Sequence, residues 1–123
     1  MTRILAIDDD IEIREMLKQL LERAGYEVLL APDGKEALKL HQSNPVDLII
    51  TDIVMPEKEG LETIVEFHRQ SPRVKIIAIS GGGKIDANQY LTLAEMLGAQ
   101  KTFSKPFELK KLLEEVRELL REP

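Results

Sequence analysis

The chain contains no cysteine, which excludes a disulfide framework, a thiolate zinc site and a cysteine nucleophile, and fits a reducing, cytoplasmic setting. No apolar run approaches the roughly 18 residues of a membrane-spanning helix. The opening Met1-Thr2-Arg3-Ile4-Leu5-Ala6-Ile7 lacks the longer apolar stretch and small-residue cleavage site of a secretory signal. Basic residues are in deficit as well. Seventeen Lys and Arg face 22 Asp and Glu, a net charge of -5, so the surface is not built to neutralise nucleic-acid phosphates. What is present is one compact domain over residues 1–123, large enough to bury roughly 65 to 70% of its unfolded surface and to hold its core without staples. Such a domain has room for one chemistry-bearing site.

Short apolar runs recur at Ile4–Ile7, Val28–Ala31, Leu48–Ile50 and Val74–Ile79, with a brief fifth around Lys101–Phe103. Each reads as a buried strand. Between them lie amphipathic helices. Ile13, Met16, Leu17, Leu20, Leu21 and Ala24 mark the first, with Asp10 to cap it and Gly25 to end it. Asp33 with Glu36 three residues on resembles a capping box and opens the second, which stops by Pro45. Leu61, Ile64, Val65 and His68 give the phase of a third from about Gly60 to Gln70. A fourth runs from about Asp86 through Leu91, Ala94 and Leu97 to Gly98, and the last carries Leu109, Leu112, Leu113, Val116, Leu119 and Leu120 on its buried face. Five alternations of strand and helix with short connections predict right-handed βαβ units and a doubly wound, parallel α/β sheet with helices on both faces. In such sheets ligands bind beyond the carboxyl ends of the strands, where the strand order reverses.

Those ends carry the chemistry. Strand one runs into Asp8-Asp9-Asp10, strand three into Asp52, strand four into Ser80 and strand five into Lys105-Pro106. Two carboxylates about 4 Å apart repel by roughly 4 kcal/mol at an effective dielectric of 20, so gathering Asp8, Asp9 and Asp52 requires a cation. An open cluster of hard oxygen ligands points to Mg²⁺, with Mn²⁺ as a substitute. Lys105 adds a compact positive charge and Ser80 a hydroxyl. A metal, an ammonium, a hydroxyl and a carboxylate nucleophile are the parts that stabilise a transferring phosphoryl group.

Other features read as structural. Asp10 is a helix cap, and the alternating Lys and Glu of Glu108–Glu122 form a solvated face. His68 reads as a packed core histidine, and His41 at a helix end has no visible partner; neither is assigned a role. Gly81-Gly82-Gly83-Lys84 fails as a phosphate-binding loop, because Ile85 stands where Ser or Thr is needed, and as a dinucleotide fingerprint, because Asp86 replaces the last Gly. A mobile loop is the better reading.

Four segments together resemble the receiver domain of two-component response regulators. They are Ile4-Leu5-Ala6-Ile7-Asp8-Asp9-Asp10, Asp47 through Pro56 followed by Gly60, Ile76-Ile77-Ala78-Ile79-Ser80-Gly81, and Phe103-Ser104-Lys105-Pro106-Phe107. The resemblance covers essentially the whole chain. It implies a flavodoxin-like, five-stranded sheet of order 2-1-3-4-5, with Asp52 accepting a phosphoryl group from a phosphohistidine on a sensor histidine kinase or phosphotransfer protein. It also implies Mg²⁺ held by Asp9, Asp52 and the Val54 backbone carbonyl, with Asp8 acting through a bound water and Lys105 pairing with the phosphoryl group. Ser80 would turn inward and draw Gly81 and its loop with it. The change would be read by a downstream protein on the face of the fourth helix, fifth strand and fifth helix. One departure concerns the switch: the family usually has Tyr or Phe three residues before the Lys, where this chain has Thr102. Phe103 follows, but strand alternation points it to the opposite face. Readout is therefore expected to lean on the Gly81–Gly83 loop and on Tyr90 and Leu91 of the fourth helix.

Because Glu122-Pro123 follows directly on the last helix, the chain reads as a stand-alone receiver, though a piece of a larger regulator would look the same. A phosphatase of the haloacid dehalogenase type shares the Asp-x-Asp strand end. It would need a cap and a later acidic motif, and would be phosphorylated on Asp8. A degenerate docking module is disfavoured because every site residue is present.

Overall fold

The computed structural model describes residues 2–53, 59–80, 92, 94–104 and 107–121. In chain order the elements are β1 (Arg3–Ile7), α1 (Ile11–Arg23), β2 (Glu27–Ala31), α2 (Gly34–Ser43), β3 (Leu48–Asp52), α3 (Glu59–Gln70), β4 (Lys75–Ser80), helix α4, described at residues 92 and 94–97, β5 (Lys101–Ser104) and α5 (Leu109–Arg121). The five strands form one sheet of order β2-β1-β3-β4-β5, and every pairing is parallel. This is the doubly wound, flavodoxin-like arrangement expected from the alternation. After β2 the chain crosses back over β1 to lay down β3, so the order reverses between β1 and β3 and opens a crevice at their carboxyl ends.

Strand alternation sorts the core into two layers. Leu5, Ile7, Ile49, Ile76 and Ala78 pack with Ala37 of α2, Ile64 and Phe67 of α3 and Ala94 of α4. Ile4, Ala6, Leu48, Ile50, Ile77 and Ile79 pack with Leu17 and Leu21 of α1 and Leu112 and Val116 of α5. Both faces of the sheet are buried, which is why the strands are continuously apolar rather than alternating.

The helix ends follow the expected chemistry. The Asp10 carboxylate accepts from the Glu12 N–H at 2.9 Å, and Asp33 accepts from Glu36 N–H at 2.9 Å. Gly25 closes α1 at φ +99°, a left-handed conformation that L side chains rarely adopt. β3 runs through Asp52, the residue expected at its end, because Asp52 stays in register with Ile79 of β4. Two expectations need correction. On α3 the buried side is Thr63, Ile64 and Phe67, while Val65 is 40% exposed and His68 faces solvent. Met16 and Leu109, placed on buried faces by periodicity, are more than one third exposed. They border a groove between α1 and α5.

His41 is not without partners. It is buried, its Nδ1 accepts from the Val46 N–H at 3.1 Å, and its Nε2 lies 2.8 Å from Ser71 Oγ, with the ring tilted against Phe67 at 5.3 Å. An accepting Nδ1 fixes the neutral tautomer with the proton on Nε2. Burial lowers the His41 pKa from its ordinary value. The unfolded chain therefore binds a proton first as pH falls below about 6.5, and stability is lost from there down to the lowered folded pKa. Urea unfolding midpoints between pH 7.5 and 5.5 should fall with acidification, and His41→Gln should flatten that slope. An unchanged slope in the variant would assign it to other groups.

Candidate functional site

The site is assembled by the two central strands. Ile7 of β1 is in register with Thr51 of β3, so the next residues, Asp8 and Asp52, leave the sheet side by side at the crevice. Asp8 is held from several directions. Its N–H donates to Ala31 O at 3.2 Å, its carboxylate accepts from the Asp10 N–H at 2.9 Å, and its carbonyl accepts from Arg14 Nη1 at 2.6 Å. Beyond Asp52 the β3–β4 ladder continues through Ile53 N–H to Ile79 O at 2.9 Å. Ser80 therefore sits at the adjacent strand end, fully buried.

Asp8 and Asp52 are 3% and 6% exposed, whereas Asp9 faces solvent. One carboxylate oxygen from each of Asp8, Asp9 and Asp52 lies within 4.8 Å of the others. At that separation each pair of charges repels by about 3.5 kcal/mol at an effective dielectric of 20. Two near-buried carboxylates and one open to water, with only oxygen donors, fit a hard divalent cation that keeps part of its hydration, as Mg²⁺ does. Softer metals would demand the nitrogen or sulfur ligands that this cluster does not offer. The arrangement can hold such a cation beside a carboxylate nucleophile and a hydroxyl.

Thus carboxylate oxygens of Asp8, Asp9 and Asp52 come together, and Ser80 ends the strand beside β3. Lys105, Val54, Gly81, Tyr90 and Leu91 lie outside the described residues. Thr102 stands opposite Ala78, which places it on the sheet face toward α4, and its hydroxyl donates to Glu95 of that helix at 3.3 Å. Phe103 lies on the other face, among the residues packed beneath α5, with its ring 5.8 Å from that of Phe107. It therefore does not replace an aromatic at position 102. Arg14 was not anticipated. The signal was a cation in the first turns of α1, where the helix dipole disfavours positive charge, four residues beyond the last of three aspartates.

Comparison with known proteins agrees with this geometry. The family model described as response regulator receiver domain matches residues 4–117. The transcriptional regulatory protein CpxR of Escherichia coli K12 is 35% identical over 121 residues, covering 98% of this chain and 50% of CpxR. The response regulator receiver protein CpdR of Brucella abortus is 36% identical over 120 residues, covering 98% of both chains. The chain thus spans about half the length of the CpxR-type relatives it matches. Among solved structures, a receiver domain protein from Clostridium thermocellum superposes with a TM-score of 0.88 at 30% identity, over 98% of this chain and 95% of that one. The chemotaxis protein CheY4 of Vibrio cholerae gives 0.83 at 33% identity, over 97% and 98%. With the fold, strand order and acidic crevice in agreement, this chain belongs to the receiver domain family of two-component response regulators.

Proposed function

We propose that the chain accepts a phosphoryl group on Asp52 from a phosphohistidine of a sensor histidine kinase or histidine phosphotransfer protein, and that the acyl phosphate changes which protein it binds. The observation that carries this reading is the convergence of Asp8, Asp9 and Asp52 beside buried Ser80 at the strand-order switch point. In the transfer an Asp52 oxygen attacks phosphorus, the donor's P–N bond breaks, and the leaving imidazole nitrogen takes a proton. Asp9, Asp52 and the Val54 carbonyl would hold Mg²⁺, with Asp8 acting through water. Bound there, the cation supplies neutralisation of charge on the phosphoryl oxygens. Asp8 would orient water on the cation, and the bond from the Asp10 N–H holds its carboxylate in place. Lys105, which follows Ser104 in the sequence, would donate to a phosphoryl oxygen, and Ser80 would donate from the end of β4.

A phosphoaspartate brings new acceptor oxygens, and the charge-assisted bonds it gains select one arrangement of the segment beginning at Gly81. The partner reads that arrangement on the face of α4, β5 and α5. On this reading the domain assists its own phosphorylation and dephosphorylation and is otherwise a signalling module, not an enzyme acting on a separate substrate. Its acidic composition disfavours nucleic acid as the ligand of this domain. Among the described residues no helix is long and apolar enough to cross a membrane.

Incubation with acetyl phosphate and Mg²⁺ should add one phosphoryl group to the intact mass. The adduct should be absent with EDTA and absent in Asp52→Asn. An equal adduct on the Asn variant would sink the assignment, and one that required Asp8 instead would favour phosphatase-type chemistry.

A further inference from the structure

We infer that Arg14 is a positioning residue for the cation site, fixing the β1–α1 turn so that Asp8 and Asp9 meet the ion in a preset geometry. The inference rests on the Mg²⁺ reading above and concerns a residue that acts through the backbone of the β1–α1 turn. Arg14 is half-buried on the first turns of α1, and its Nη1 donates to the Asp8 carbonyl at 2.6 Å. Its own N–H donates to Asp10 O at 3.1 Å. One residue therefore ties both ends of the acidic triplet to the helix, Asp8 through its side chain and Asp10 through its backbone.

The placement is costly on local grounds. A cation this close to a helix N-terminus opposes the dipole, whereas Glu12 in the same turn is favourable there. The side chain also loses rotamer freedom to make the bond. A short, charge-assisted hydrogen bond to a carbonyl that adjoins three carboxylates offsets both. Mutual repulsion of Asp8, Asp9 and Asp52, all within 4.8 Å, would otherwise spread the turn open when no ion is bound. Asp52 is held by its place in β3, and Asp8 by its ladder bond to Ala31. Asp9 is exposed and depends on the turn on either side of it. By holding that turn against repulsion, Arg14 reduces the ordering that ion binding must impose, in the way that outer partners of metal ligands commonly act.

Two opposing effects make the test decisive. If the guanidinium acted only as a competing positive charge, its removal would tighten cation binding; if it positions the turn, removal weakens binding. Mg²⁺ dissociation constants would be measured by calorimetric titration, without any phosphodonor, for the parent, Arg14→Met and Arg14→Lys. Unfolding midpoints would be recorded in EDTA. Arg14→Met keeps the length and helix propensity but has neither charge nor donor, and should weaken Mg²⁺ binding about tenfold, the low end for loss of such a partner. Arg14→Lys retains a single donor and should lose less, and it carries the test should the Met variant fail to fold. Unchanged or tighter Mg²⁺ binding in both variants overturns the inference. So does a parent that binds no Mg²⁺, and that result alone also overturns the metal reading on which the inference stands.

Discussion

Asp8→Asn should make the metal-free protein more stable while removing most of what Mg²⁺ adds. Asp8 and Asp52 are both nearly buried with carboxylate oxygens within 4.8 Å, so their repulsion is weakly screened. Converting Asp8 to the isosteric amide removes one charge and retains an oxygen that can accept from the Asp10 N–H. A gain of about 1 to 2 kcal/mol in EDTA is expected, below the full pair repulsion of about 3.5 kcal/mol because the site relaxes and admits water. In the parent, Mg²⁺ at 100 times its dissociation constant should add about 2.7 kcal/mol. The variant should show only a small part of that increment. Denaturant titrations of both proteins with and without Mg²⁺ would place the two effects on one scale, and a metal-free variant less stable than the parent would show that the cluster is not a repulsive one.

The second large effect lies away from the crevice. Gly34 is the first residue of α2, and a Cβ built there would fall 1.8 Å from Thr63 Oγ1 and 3.1 Å from Thr63 Cβ. Glycine in a helix ordinarily costs about 0.5 to 1 kcal/mol relative to alanine, so a local argument would have Gly34→Ala stabilise the protein. Packing reverses the sign. Thr63 is short and buried and has no flexible end to move aside, so α2 and α3 must separate or Thr63 must leave its rotamer. Overpacking of this kind costs roughly 1 to 3 kcal/mol. A loss of about 2 kcal/mol, lowering Tm by about 5 to 10 °C, is expected. In the double variant with Thr63→Ala the two costs should be less than additive, since the nearest atom of the clash is gone. Gly34→Ala at or above parental stability would mean that the two helices are not in contact at this point.

That same contact explains why the sequence misleads about α3. Thr63 faces inward against the start of α2, while the apolar Val65 faces water. A hydrophobic count therefore rotates the helix away from its real buried side and enrols His68 in the core. The sheet was easier to read, because strands buried on both faces need unbroken runs of Ile, Leu and Val, and interrupting carboxylates stand out at their ends. The gathering of Asp8, Asp9 and Asp52 was legible for that reason. His41 and Arg14 were not, since their partners are distant in sequence or are backbone atoms. Ser71 lies 30 residues from His41, and Arg14 reaches a carbonyl, so that only a cation out of place near a helix N-terminus pointed to it. Thr102 was legible as a departure and Phe103 as its wrong-faced neighbour, from strand alternation alone. The polar link from Thr102 to Glu95 was visible only once α4 was set against β5.

Asp52, rather than either neighbouring aspartate, is the proposed carrier of the phosphoryl group. After reaction with acetyl phosphate and Mg²⁺, borohydride reduction converts an acyl phosphate on aspartate into homoserine, and peptide mass mapping identifies the residue changed. Homoserine is expected at position 52 in the Mg²⁺-treated sample and at no position with EDTA. Homoserine at position 8 or 9 with Asp52 intact would contradict that assignment.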